Sequence, residues 1–239
     1  IQLIVLIITV TLFTSWPMDF NRVWAADSAS IARGGRLFDS WFEELKEKPP
    51  TLIHGKYQPD NISMHSAETS WRCATCHGWD YRGRAKYGTS ALNKGGKGSD
   101  IASLVSILTD DNHGYADKLS KQDLADLAAF MADGLIDTSS YIELDSNRVR
   151  GDAVKEEGLY ATICANCHGT NGYMITTMIP LGDFTRRNPQ EALHKVLNGH
   201  PAERMPPLRF LDINRLMDLL AYVQTLPLQN KGRTHMASA

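Results

Sequence analysis

The sequence predicts an all-α protein made of two similar halves, and three observations carry that expectation. Apolar residues recur at helical spacing, i, i+3, i+4 and i+7, in one stretch after another. The pattern C-x-x-C-H occurs twice, as Cys73-Ala74-Thr75-Cys76-His77 and Cys164-Ala165-Asn166-Cys167-His168. The spacing from the first cysteine of each pattern to the leucine that opens a later helix is nearly equal, Cys73 to Leu119 and Cys164 to Leu211. Such self-similarity marks an internal duplication. With 239 residues, the chain suffices for one large domain or two small ones. Its content of 43% hydrophobic and 22% charged residues is that of a globular protein, and a net charge of −2 gives no basic excess for nucleic acid.

The apolar run from Ile1 to Phe13 is shorter than the ~20 residues of a spanning helix and matches a signal-peptide core. Val23-Trp24-Ala25 offers a small-residue cleavage site before Ala26. Residues 1–25 are therefore expected to be an export signal or, if retained, a membrane anchor through residues 1–16. A first helix follows, with Ile31, Gly34, Gly35, Phe38, Trp41, Phe42 and Leu45 on one stripe. The stretch 48–70 is irregular and rich in Pro, His and Ser; loops of this length are uncommon in compact domains and often functional.

After the first cysteine pair, a short helix is expected near Asp100 with Ile101, Leu104, Val105 and Leu108 on one face. Leu119-Ser120-Lys121-Gln122-Asp123 opens the closing helix, which buries Leu124, Leu127, Ala128 and Met131 and stops at Gly134. A polar linker from Asp137 to Arg150 joins the halves. In the second half, Gly158-Leu159-Tyr160 leads into Cys164. Asn188 is the expected N-cap of a helix with Pro189 in its first turn and Glu191 completing a capping box, and Ala192, Leu193, Val196 and Leu197 turned inward. Its His194 is expected on the surface. Leu211-Asp212 opens the last helix, with Leu216, Leu219, Leu220 and Val223 inward and Pro227 barring its extension. The resulting units are 26–140 with an insert at 48–70, 141–230, and an aperiodic tail at 231–239.

Both cysteine pairs carry the signature of covalent c-type haem attachment. Two thiols three positions apart reach the two vinyl groups of one porphyrin, and the adjacent histidine supplies the proximal iron ligand. A zinc site does not require a histidine after each pair. A thioredoxin-like redox pair is not duplicated in this way, and a three-residue spacing is poor for a structural disulfide. Cys73, Cys76 and His77 are thus expected to hold one haem c, and Cys164, Cys167 and His168 a second.

The order helix, C-x-x-C-H, helix, Met-Pro, helix resembles class I cytochrome c, and its duplication resembles the tandem di-haem cytochromes, over roughly residues 28–228. The resemblance implies two small all-α domains, each wrapped around one haem. Haem would also fill a core that an aromatic content of 8% leaves short. Met205-Pro206-Pro207 matches the family's ligand loop, which makes Met205 the expected sixth ligand of the second iron. The first half departs from the pattern, with no methionine between Leu108 and Leu119. Six residues before Leu119 stands His113, as Met205 stands six before Leu211, so His113 is the expected sixth ligand of the first iron. Counted from the preceding helix, the match is offset by a few positions. His54, Met64, His65 and Met131 compete, although Met131 suits the helix core, and His200 is expected to hydrogen-bond near the ligand loop without ligating.

The expected function is one-electron transfer between redox proteins, outside the cytoplasm and with no catalytic residues of its own. The runners-up are a haem enzyme, resembling thiosulfate dehydrogenases or di-haem peroxidases, and a di-haem subunit of a membrane respiratory complex. Thiosulfate dehydrogenases use a distal cysteine, and all four cysteines here are taken by haem attachment. Lys86, Lys94 and Lys97, among glycines, form a basic loop that could steer an acidic partner.

Overall fold

The computed structural model describes residues 27–57, 66–84, 91–92 and 98–228. The apolar N-terminal run, Met64, His65, the three loop lysines and the tail at 231–239 lie outside the described residues. Among those described, regular structure is helical apart from one antiparallel bridge between Ile142 and Val149. No described helix is long and apolar enough to cross a membrane.

Helix α1 (Ser28–Glu44) starts where the Asp27 carboxylate accepts the Ser30 N–H at 2.6 Å. It buries Gly34, Gly35, Phe38, Trp41 and Phe42 of the predicted stripe, leaves Ile31 and Leu45 half-buried, and also buries Leu37, which the stripe did not include. Short turns α2 (Ala67–Ser70) and α3 (Cys73–His77) follow. Helix α4 (Ile101–Leu108) is capped by Asp100 and buries Leu104 and Leu108. Helix α5 (Lys121–Ala129) opens on a capping box between Ser120 and Asp123 and runs on into a π-helical turn, Phe130–Gly134. The second half holds α6 (Glu157–Leu159), a π-helical turn at Tyr160–Cys164, α7 (Ala165–His168), α8 (Leu181–Arg187), α9 (Pro189–Asn198) and α10 (Ile213–Thr225). Asp212 caps α10, and the helix buries Leu216, Leu219, Leu220 and Val223 as expected.

Buried apolar side chains fall into two clusters, one built on α1, α4 and α5 and the other on α9 and α10. The two are joined by polar contacts. Two adjacent glycines let α1 approach both sides at once. A Cβ on Gly34 would lie 2.0 Å from the Asp126 carbonyl oxygen of α5, and one on Gly35 would lie 2.2 Å from the Asn198 side chain of α9. Arg36 donates to the Asn198 carbonyl at 3.0 Å, and Arg209 spans the Asn198 side chain at 2.8 Å and the Gly134 carbonyl at 2.9 Å. Helix α1 breaks at Ser40, whose backbone is extended. The Arg72 side chain enters this break, donating to the Asp39 carbonyl at 2.8 Å and pairing with the Asp39 carboxylate, while Lys195 of α9 pairs with the same carboxylate. A side chain inserted into the backbone ladder is a recognised cause of a kink.

Three sequence expectations need correction. His194 is 1% exposed, not on the surface. It lies beside the apolar stripe of its own half, and α1 covers that side, with the His194 Nε2 2.9 Å from the Gly35 carbonyl and Nδ1 2.8 Å from the Tyr81 hydroxyl. Asn188 makes no side-chain cap, because it also ends α8, its N–H bonded to Phe184 O at 2.8 Å. The Glu191 carboxylate turns instead to Lys195, at 3.7 Å. The segment 137–150 is more than a polar linker: it holds a 3-10 turn, Thr138–Ser140, and buries Ile142 and Val149 in the second cluster.

Candidate functional site

Each C-x-x-C-H pattern forms the end of a short helix, and the two ends have the same backbone. Gly78 follows His77 at φ 76°, ψ 160°, and Gly169 follows His168 at φ 77°, ψ 158°. This left-handed φ favours glycine. Gly78 N–H closes on the Ala74 carbonyl at 2.9 Å and Gly169 N–H on Ala165 at 2.8 Å. The histidine carbonyls are engaged alike, by Gly83 N–H at 2.9 Å and Met174 N–H at 3.0 Å. The helix stops at histidine in both, leaving two cysteines and one imidazole within a turn and a half. None of the four cysteines is in a disulfide.

Around the first pattern, the Cys73 sulfur lies 3.8 Å from the Tyr115 hydroxyl, and burial pushes its thiol up to about 12. Burial also raises Cys76, against the opposing charge of Arg84. Phe38 of α1 packs on the His77 ring with 6.5 Å between centroids. Across from His77 stands His113, its ring nearly parallel at 9° and its centroid 6.4 Å away. His113 sits in the turn after α4, where Asp110 accepts its backbone N–H at 3.0 Å and lies 3.1 Å from its Nδ1. Burial raises the Asp110 carboxyl, but hydrogen bonds from His113 and Asn112 outweigh it and hold it at about 2.

In the second pattern, burial and then the neighbouring Cys167 raise the Cys164 thiol to about 11. Burial lowers the proton affinity of His168, which favours the neutral imidazole a metal needs. Met205 lies in the loop between α9 and α10, packed on Gly199, where a Cβ would meet its carbonyl at 2.6 Å. His200 Nδ1 lies 2.9 Å from the carbonyl of the next residue, Pro201, a local contact within the loop. Met131 is a buried core residue.

The donors a covalently attached haem would need, two thiols and an imidazole on one short helix with a second imidazole across from it, are present in the first half. A metal–imidazole bond is about 2 Å long, so an iron between two imidazoles separates the ring centres by roughly 6 Å. The spacing of His77 and His113 suits that. Among the described residues no three His, Cys, Asp or Glu form a group that could hold a metal ion. His54 has both ring nitrogens in use, with Nε2 3.1 Å from the His113 carbonyl and Nδ1 accepting Lys56 N–H at 3.2 Å. Sequence reasoning missed Asp110, whose only signal is its place three residues before His113. Neither a protein-family model nor a curated relative matches the chain. The functional reading therefore rests on these residues.

Proposed function

We propose that the protein is a di-haem c-type cytochrome that carries single electrons between redox partner proteins outside the cytoplasm. The carrying observation is the repeated turn: two cysteine pairs, each with a histidine, end on the same backbone in both halves. In the first, His113 faces His77 at a distance that suits an iron between them. Cys73 and Cys76 would attach the first haem, and Cys164 and Cys167 the second. His77 and His113 would be the axial ligands of the first iron, His168 and Met205 those of the second. When bound, haem supplies a reversible one-electron change at iron, and the chain sets ligands, burial and access.

Two protein ligands at each iron would leave no open position, which suits electron transfer rather than catalysis. Imidazole favours ferric iron more than a thioether does, so a His77/His113 pair would set a lower potential than a His168/Met205 pair. Residues 1–25 would direct export or hold the protein at the membrane, which keeps a subunit role beside a respiratory complex open.

A pyridine haemochrome assay on the native protein should find two covalent haems per chain. Cys73→Ala and Cys164→Ala should each lose one. Fewer than two haems in the intact chain would refute the reading. Carbon monoxide binding by the wild-type ferrous protein would show an open iron and move the case to a haem enzyme.

A further inference from the structure

We infer that Asp110 and His54 are positioning residues for His113: Asp110 fixes the proton on its ring and His54 clamps its backbone. This rests on the ligation of the first iron by His113 proposed above. It also gives the insert at 48–70 a task, since His54 lies within it.

One Asp110 oxygen, Oδ1, receives the His113 backbone N–H at 3.0 Å and faces Nδ1 at 3.1 Å. An ionised carboxylate only accepts, so the ring proton is on Nδ1 and the lone pair is on Nε2, the atom left for iron. A carboxylate behind an imidazole also raises its basicity as a ligand. Asp110 is itself held, since the Asn112 N–H reaches Oδ1 at 2.9 Å and the Asn112 amide reaches Oδ2 at 3.3 Å. From the other side, a carbonyl only accepts, so His54 Nε2–H donates to His113 O across 59 positions of sequence. His54 is fixed in turn. Its N–H bonds Ser70 Oγ at 2.9 Å, and its ring stands edge-on to Trp71 at 4.5 Å. The Trp71 indole N–H ties back to the insert through the Leu52 carbonyl at 2.8 Å. His113 is thus gripped at its ring and at its carbonyl by two separate segments.

The test uses the full haem-loaded chain, with Asp110→Asn, His54→Leu, His54→Gln and His113→Ala. Two quantities are read: the midpoint potential of the first haem and the affinity of its ferric iron for added imidazole. Loss of such an outer partner weakens a ligand by about 10- to 100-fold. Imidazole should therefore bind Asp110→Asn and His54→Leu about 10- to 100-fold more tightly than wild type, and the first potential should rise. The second haem should keep its potential. His54→Gln retains a donor and should return both quantities towards wild type. A variant-free check is an exchange-protected Nδ1–H resonance of His113 in the ferrous protein; its absence counts against the inference. If His113→Ala leaves the first haem's spectrum unchanged, the ligation itself is refuted. If His113→Ala opens the iron while Asp110→Asn and His54→Leu alter neither quantity, the ligation stands and the positioning roles are refuted.

Discussion

His194 accepts the Tyr81 hydroxyl on Nδ1 and donates from Nε2 to the Gly35 carbonyl. Burial, above all, lowers it to about 4, with Lys195 and Arg209 adding to the shift and Asp39 opposing it. Its ordinary value is 6.5, so between pH 6.5 and 4 the unfolded chain binds more protons than the folded one. Stability is full above pH 6.5 and falls as the pH drops towards 4, by up to about 3 kcal/mol from this residue. Urea unfolding at pH 7 and pH 4.5 should show that loss, and His194→Gln should shrink it; the same loss in both proteins would exonerate His194. Asp39 is the second pivot. Burial raises its carboxyl, but Lys195 and Arg72 outweigh this and hold it below the usual range. Its contribution is present above the ordinary carboxylate value and is lost as pH falls through the folded one. Asp39→Asn leaves two cations facing a neutral amide and should cost about 3–5 kcal/mol in chemical unfolding at pH 7.

At the scale of the helix, periodicity and caps were legible in the sequence. Asp100, Ser120 and Asp212 begin helices as their side chains predict, because an N-cap is a local interaction. The stripes of α1, α4, α5, α9 and α10 follow for the same reason. Asn188 misled because it serves two helices at once. The break at Ser40 and the burial of His194 depend on residues far away in the chain, and no local pattern encodes them. The site divides likewise. Each cysteine pair and the histidine after it are a contiguous motif, and a count pointed to His113, which lies across from His77, whereas the contact of His54 with His113 needs the fold. Glycines give a direct test of helix approach. Gly34→Ala should lower the melting temperature, since its Cβ would meet the Asp126 carbonyl at 2.0 Å; forced overpacking costs typically 1–3 kcal/mol or more. Gly158→Ala meets nothing within 4 Å and should raise stability by about 0.5–1 kcal/mol.

For the molecule as a whole, the seam between the clusters is polar and specific. Arg36, Asp39 and Gly35 of α1 all engage α9, and Arg209 ties Asn198 to Gly134. The halves should therefore unfold in one transition. Calorimetry should give a single peak for the wild type, and Arg209→Ala should broaden or split it; two peaks in the wild type would show that the seam does not couple the halves. On the proposed reading, coupling also holds the two irons at a fixed separation.

The kinked helix α1 has a consequence for how the chain is made. Its Arg36 waits for Asn198, 162 positions later. Ribosomes add about 5–20 residues per second, so that wait lasts roughly 10–30 s. During it, the glycine face and the Asp39 carboxylate of α1 have Asp126 and Arg72 within reach before Lys195 and Asn198 exist. The first half can close early, but its outer face stays unfinished until the second emerges. A nascent chain stalled before residue 189 should show that face as a protease-sensitive or chaperone-bound α1, and release of the complete chain should protect it.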